Sequence, residues 1–171
     1  NTTDIQRLKG MIREFEEELV WAYNGVQVKN VHHLRLGFYH DSSSEQMQKD
    51  VITILNQFRE IKPNIISLVI DPEGSGPDTH YKVLQATAAA IEEWSKECDL
   101  SNLKILGYRN VWFKFHPAEA NVYIPVSLNA FAVLEKSFAA SYLTQVKAEF
   151  PNPELDGPFS KVSSNTWIKQ L

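Results

Sequence analysis

The sequence predicts an α/β fold in which helices alternate with short strands. Apolar residues recur at steps of three or four in four segments, which is the spacing of an amphipathic helix. Runs rich in β-branched residues lie between these segments, and residues 65–70 are apolar at nearly every position. Because such a run is typical of a strand covered on both faces of a parallel sheet, we expect a layered fold with right-handed crossovers.

The first two helices are delimited by capping and breaking residues. An apolar stripe over residues 8–26 predicts a helix that buries this stripe and stops near Gly25, which can adopt the left-handed conformation of a helix end. A second stripe over residues 47–61 lies between a capping box, Ser42-x-x-Glu45, and the breaker Pro63. Both helices are therefore expected to bury one apolar face.

Two further helices are expected over residues 79–97 and 127–143, and a last short one over residues 161–171. Four β-rich runs between the helices are predicted as strands: 26–36, 64–70, 103–115 and 121–126. No internal repeat or linker interrupts the chain. We therefore expect residues 1–171 to form a single structural unit.

Composition excludes several classes of protein. The chain has 171 residues, with 17 basic and 21 acidic side chains and a net charge of -4, so it lacks the basic surface of a nucleic-acid-binding domain. No apolar run approaches the ~20 residues that a membrane span needs. Cys98 is the one cysteine, which excludes an internal disulfide and favours a reducing compartment, the cytoplasm. Nucleic acid and membrane are thus not expected partners.

The loop after the apolar run is the best candidate for a functional site. In open α/β sheets, ligands bind beyond the carboxyl ends of the strands. Residues 71–80 are rich in Gly and Pro, carry three carboxylates and end on His80 in the first turn of the third helix. Asp78 is a natural N-cap for this helix, and the positive end of its dipole disfavours protonation of His80. A neutral imidazole can bind a metal, although the alternative is a histidine that only caps or packs.

Other candidate residues have simpler structural explanations. His32 and His33 lie in a strand-like run, and His116 precedes a proline in a turn-like segment. Arg109 lies in an otherwise apolar run and therefore needs a partner, either a phosphate or a structural carboxylate. No phosphate-binding loop with its lysine, no nucleophile elbow and no Cys-His pattern is present.

Three separated motifs carry a resemblance to a known family. These motifs are Asp71-Pro72-Glu73-Gly74-Ser75-Gly76-Pro77-Asp78-Thr79-His80-Tyr81-Lys82, Gly107-Tyr108-Arg109-Asn110-Val111-Trp112 and His116-Pro117-Ala118-Glu119-Ala120-Asn121. Together they resemble the C-terminal region of bacterial glucosamine-6-phosphate isomerase/deaminase homologues that carry a fused PIG-L (LmbE-like) domain. The resemblance implies a Rossmann-like three-layer sandwich with a mainly parallel sheet. It also implies that the chain is a piece of this domain that lacks the first strand.

The resemblance implies zinc-dependent removal of acetyl groups from N-acetylglucosamine-type sugars. In that family a His-Pro-Asp-Asp motif supplies two metal ligands and the general base, and a later histidine supplies the third ligand. His80 matches this later histidine, and Arg13 loosely matches an arginine near the substrate. Arg109 and Asp78 complete the predicted substrate-binding set. The implied partners are an amino sugar or sugar phosphate, a fused N-terminal isomerase/deaminase domain and a second copy in a homo-oligomer.

The chain departs from the family pattern at the metal ligands. The His-Pro-Asp-Asp motif is absent, and Pro77 stands where the family has another histidine. A deacetylase site would therefore need residues upstream of this chain, which could supply the remaining ligands of a zinc ion. The alternative is a non-catalytic module that supports or oligomerises the isomerase/deaminase domain. A third hypothesis is a regulatory domain that binds a sugar phosphate through Arg109 and the glycine-rich loop.

Overall fold

A computed structural model describes residues 2–71, 78–109, 115–145 and 168. In these ranges the chain forms four α-helices and a two-stranded parallel sheet. Two compact units are present, one built from Asn1–His33 with Phe115–Leu171 and the other from Leu34–Lys114. We call them the outer-segment unit and the central unit.

The central unit contains the sheet and two of the helices. Helix α2 (Ser44–Ile61) leads into strand β1 (Ile65–Val69), and helix α3 (Asp78–Ser95) leads into strand β2 (Lys104–Tyr108). The strands pair in parallel with Ile65 opposite Lys104 and Val69 opposite Tyr108. The predicted strand 64–70 is confirmed, and the run predicted over 103–115 is a strand at its beginning, while residues 110–114 lie outside the described residues.

The apolar core of the central unit lies where α2 packs against α3. Ala86 and Ala90 are fully buried on α3, so the two helices can approach closely. The rings of Phe58 and Trp94 lie 5.4 Å apart and close one end of this interface. The small residues of the third predicted helix thus pack as expected. Strand β1, however, is not covered on both faces, since Ile65 is 56 % exposed.

Helix α2 begins one residue later than the predicted capping box places it. Ser43, rather than Ser42, is the N-cap, and its hydroxyl accepts a hydrogen bond from the Gln46 amide at 3.2 Å. Both serines satisfy the sequence pattern of a cap. The Asp41 carboxylate also accepts hydrogen bonds from the amide and hydroxyl of Ser43, which fixes that residue in place.

A buried carboxylate ties irregular backbone to helix α2. Asp50 is 2 % exposed and accepts hydrogen bonds from the Gly37 amide at 2.7 Å and the Phe38 amide at 3.0 Å. The Gln46 side-chain amide donates a third bond at 2.9 Å. Since a carboxylate is buried only when donors satisfy it, Asp50 holds the 3₁₀ turn Gly37–Tyr39 against the helix.

The outer-segment unit contains helices α1 (Thr2–Tyr23) and α4 (Leu128–Ser141), which pack against each other. Gly25 ends α1 as predicted, with a φ of +82°. The Val26 amide donates to the Trp21 carbonyl and the Gly25 amide to the Ala22 carbonyl, both at 3.0 Å. This pair of bonds is a Schellman motif, which satisfies the last carbonyls of the helix.

The buried face of α1 differs from the predicted one. Leu8, Ile12 and Phe15 from the predicted stripe are exposed, whereas Glu16 and Val20 are buried. The Glu16 carboxylate accepts hydrogen bonds from the amide and the hydroxyl of Thr144, at 2.8 and 2.6 Å. Apolar spacing alone predicted the wrong face because polar contacts with the segment after α4 select the side that is buried.

Two predicted strands are absent from the structure. Residues 26–36 form a 3₁₀ turn, Val28–Asn30, followed by irregular backbone, and residues 121–126 are irregular and exposed. Both runs contain several β-branched residues, but a strand also needs a hydrogen-bonded neighbour. Of the predicted helix 161–171, only residue 168 is described, and it is helical.

The predicted α/β class and the parallel pairing of strands are confirmed. The Rossmann-like three-layer sandwich and the missing first strand stay predictions. Among the described residues, no helix has the length and apolar character that crossing a membrane requires.

Replacing Asp50 by alanine is expected to destabilise the protein by about 3 kcal/mol, because two buried backbone N–H groups lose their acceptor. Urea unfolding measured by circular dichroism gives this change as a shift of the midpoint at constant slope. Glu45→Ala is the matched control, since Glu45 pairs with Lys49 on the exposed face of the same helix. Equal midpoints for the two variants would show that Asp50 does not hold the turn.

Candidate functional site

The carboxyl ends of both strands meet at one edge of the central unit's sheet. Val69 and Tyr108 are paired at the last positions of β1 and β2, so the residues that follow each strand leave the sheet side by side. Asp71 follows β1, and Arg109 follows β2 directly. This edge is where ligands bind in parallel α/β sheets.

The main feature of this edge is a contact between Asp71 and His80. The Nδ1 atom of His80 lies 2.7 Å from Oδ2 of Asp71, a distance typical of a charge-assisted hydrogen bond. The Asp71 side chain is 5 % exposed, whereas that of His80 is 28 % exposed. The carboxylate is thus held inside the unit and orients an imidazole that reaches the surface.

Helix α3 places the imidazole by its first turn. His80 is the third residue of this helix, as the sequence predicted, and the helix axis begins near the end of β1. A carboxylate that accepts from Nδ1–H fixes the tautomer and directs Nε2 towards a metal or a reacting proton. The arrangement can therefore act as an oriented metal ligand or as a general acid/base.

Tyr108 shares the electrostatic environment of this pair. Burial raises the pKa of the Tyr108 hydroxyl, and the negative charge of Asp71 raises it further. Both effects act against the phenolate, since burial and a nearby negative charge disfavour an anion. Tyr108 is consequently held as a neutral hydroxyl that can donate a hydrogen bond at this edge.

The predicted substrate-binding residues of the central unit occupy different environments. Arg109 is half-buried, and its Nε and Nη1 atoms are shielded from solvent at the end of β2. Asp78 is exposed and pairs with Lys82 at 2.7 Å along α3, an arrangement typical of a surface ion pair. Arg109 therefore directly follows the last residue of β2 rather than lying inside a longer strand, whereas the pair with Lys82 gives Asp78 a structural role.

Arg13 lies on helix α1, which belongs to the outer-segment unit, and its side chain is exposed. Its positive charge acts on Tyr142 of the same unit. His32, His33 and His116 belong to this unit as well. His116 lies in the predicted turn, where its Nδ1 accepts a hydrogen bond from the Ala118 amide at 3.2 Å.

The described residues fit one ligand position of a zinc site but not a whole site. His80 with Asp71 has the chemistry of a metal-binding histidine supported by a carboxylate. However, no group of three His, Cys, Asp or Glu side chains that could hold a metal occurs within residues 2–71, 78–109 and 115–145. Residues 72–77 of the predicted loop, with Glu73 and Pro77, lie outside the described residues.

The importance of Asp71 was missed by sequence reasoning, which noted only a loop with three carboxylates. Its position directly after an apolar strand was the available signal, because the first side chain past a parallel strand faces the ligand edge. Pairing with His80, nine residues later, depends on the length of the intervening loop. That length alone does not determine which carboxylate reaches the imidazole.

Comparison with known proteins gives one similar curated protein. It is a glucosamine-6-phosphate deaminase-like protein of Bacteroides thetaiotaomicron, 29 % identical over 140 residues. The match includes 74 % of this chain but only 20 % of the relative's length. No family model matches the sequence, and no solved structure matches it. The chain is thus a distant homologue of one segment of a deaminase-like protein.

Substituting Asp71 by asparagine is expected to lower the pKa of Tyr108, because the substitution removes a negative charge that disfavours the phenolate. Tyrosinate absorbance followed against pH, with each protein compared to its Tyr108→Phe counterpart, isolates this one hydroxyl. Asp99→Asn is the control, since Asp99 is not among the charges that act on Tyr108. An unchanged Tyr108 titration in Asp71→Asn would show that the charge of Asp71 does not act on the Tyr108 hydroxyl.

Proposed function

We propose that this chain is the deacetylase-like part of a glucosamine-6-phosphate isomerase/deaminase homologue and acts in amino-sugar metabolism. The observation that supports it best is the Asp71–His80 hydrogen bond at the carboxyl edge of two parallel strands. The similarity to a deaminase-like protein supports the amino-sugar part of the proposal. Its reaction would be hydrolysis of the acetamide bond of an N-acetylated sugar.

In this proposal His80 is a metal ligand, and Asp71 is its positioning residue. Asp71 accepts a hydrogen bond from Nδ1–H and so leaves Nε2 as the nitrogen that can bind a metal. If zinc is bound, it supplies a Lewis acid for the acetamide carbonyl, with His80 as one ligand and upstream residues as the others. Such a site belongs to the complete Rossmann-like three-layer sandwich that the family resemblance implies.

Recognition of the sugar would fall to side chains near the same edge. The Arg109 guanidinium is positioned at the end of β2, where a planar, bidentate donor suits a phosphate or a ring hydroxyl pair. Tyr108, held neutral by burial and by Asp71, supplies a hydroxyl donor beside it. Asp78 is the weaker member of the proposed substrate-binding set, since its carboxylate pairs with Lys82, and Arg13 of the outer-segment unit stays a prediction from the resemblance.

A non-catalytic module attached to an isomerase/deaminase domain is the second candidate function. The incomplete set of metal ligands among the described residues favours it. In that case the Asp71–His80 pair only fastens α3 to the end of β1. The two functions differ in whether the exposed part of the imidazole takes part in chemistry.

Zinc content and N-acetylglucosamine deacetylation, measured on the protein at its natural full length, distinguish the two. His80→Ala is expected to lower both. Asp71→Asn, which keeps the shape of the side chain, is expected to weaken zinc affinity or activity by about 10–100-fold, the usual loss for a carboxylate that orients a metal-binding histidine. His40→Ala serves as the control because His40 is an exposed histidine of the same unit.

Equal zinc content and equal rate in wild type and His80→Ala would contradict a catalytic role for this residue. A wild-type protein that neither binds zinc nor releases acetate would support the module instead. The circular dichroism spectrum of each variant checks that α3 is retained, so that a loss of activity is assigned to chemistry.

A further inference from the structure

A cavity of about 370 Å³ lies within the outer-segment unit, between the C-terminal part of α1 and the segment that follows it. Its wall contains an indole, a carboxylate, an amide and two imidazoles, from Trp21, Glu17, Asn30, His32 and His33. This volume falls in the range of roughly 300–1,000 Å³ that small-molecule sites occupy. No residue of this wall belongs to the Asp71–His80 edge.

The wall combines an apolar platform with polar groups around it. Trp21 lies in the last turn of helix α1. Its side chain is 44 % exposed, although burial of an indole would be favourable in free energy. Asn30 and His32 line the cavity and are exposed, so their polar side-chain atoms are accessible to a ligand. A sugar ring has the matching surface, with C–H groups on one face and hydroxyls around its edge.

Glu17 provides a fixed negative charge in this wall. One of its oxygens, Oε2, accepts a hydrogen bond from the Tyr142 hydroxyl. Burial raises the pKa of Tyr142, and the bond to Glu17 raises it further, so the hydroxyl keeps its proton and continues to donate. The neighbouring Glu18 lies 3.3 Å from His33 Nε2, which places a second carboxylate at this end of α1.

The charge of the wall selects among sugars. Among the described residues that line the cavity, Glu17 carries the carboxylate, and neither lysine nor arginine occurs. A phosphate group would lie against the negative charge of Glu17, whereas an ammonium group would meet both this carboxylate and the face of an indole. A protonated amino group on the ligand is therefore favoured, and a phosphorylated ligand is disfavoured.

We propose that this cavity binds an unphosphorylated amino sugar with a free amino group. In this arrangement Trp21 stacks on the ring, Glu17 accepts from the ammonium group, and Asn30 with His32 contacts the hydroxyls. The choice of an amino sugar rests on the proposed function, while the need for a cationic, hydroxyl-rich ligand rests on the wall itself. A free amino sugar is the product of the proposed deacetylation, so the cavity would retain product rather than substrate.

Isothermal titration calorimetry of the 171-residue chain with glucosamine, N-acetylglucosamine, glucose and glucosamine-6-phosphate tests this site. Glucosamine is expected to bind at least about tenfold more tightly than the other three sugars. It is the one of the four that carries a free ammonium group and no phosphate. Trp21→Ala and Asn30→Ala are each expected to weaken glucosamine binding. Trp21→Phe is expected to restore most of it, since it keeps an aromatic face.

Tyr23→Ala is the matched control, because Tyr23 is an exposed aromatic residue of the same helix that does not line the cavity. The side chain of Asn30 is exposed, so Asn30→Ala tests binding without threatening the fold. The absence of glucosamine binding, a preference for the phosphorylated sugar, or equal affinity in wild type, Trp21→Ala and Asn30→Ala would each overturn the proposal. These outcomes do not depend on deacetylation, which the His80→Ala experiment measures separately.

Discussion

The parallel pairing of β1 with β2 is the constraint on which the candidate site depends. Because both strands run in the same direction, the residues that follow them emerge at one edge of the sheet. Asp71 follows β1 and Arg109 follows β2, so the two residues come to this edge from separate strands. Helix α3 lies between the two strands in the chain. The pairing register, rather than any local motif, therefore sets which side chains can act together.

Buried carboxylates hold the irregular segments and side chains that lie outside the strands and helices. In the central unit Asp50 holds a 3₁₀ turn by accepting from two backbone amides, and Asp71 orients an imidazole. In the outer-segment unit Glu16 accepts from both the amide and the hydroxyl of Thr144. Each of these carboxylates is buried and accepts hydrogen bonds from neighbouring donors, since an unsatisfied one would cost several kcal/mol. A chain with small apolar cores thus uses polar contacts to define its loops.

The sequence predicted the positions of the helices better than it predicted which helix face is buried and which side chains bond to each other. Capping, breaking and apolar spacing placed the ends of α2, α3 and α4 within about three residues, because these signals act over one or two turns, whereas α1 begins six residues before the predicted stripe. The buried face of α1 was wrong because Glu16, not the apolar stripe, finds a partner after α4. The strand at 121–126 was wrong because β-propensity says nothing about an available neighbour. Likewise, His80 was predicted from its position, but its partner Asp71 depends on how the intervening loop folds.

A histidine in the first turn of a helix is common, and its position alone does not separate a ligand from a cap. The contact with Asp71 bears on the choice between these two roles. A purely structural bond would be served equally well by either ring nitrogen, and the imidazole could then be as deeply buried as the carboxylate. Here the carboxylate is 5 % exposed and the imidazole 28 % exposed, so the pair is asymmetric. This asymmetry agrees with the metal-ligand role that we propose for His80, since a ligand has to be both oriented and accessible.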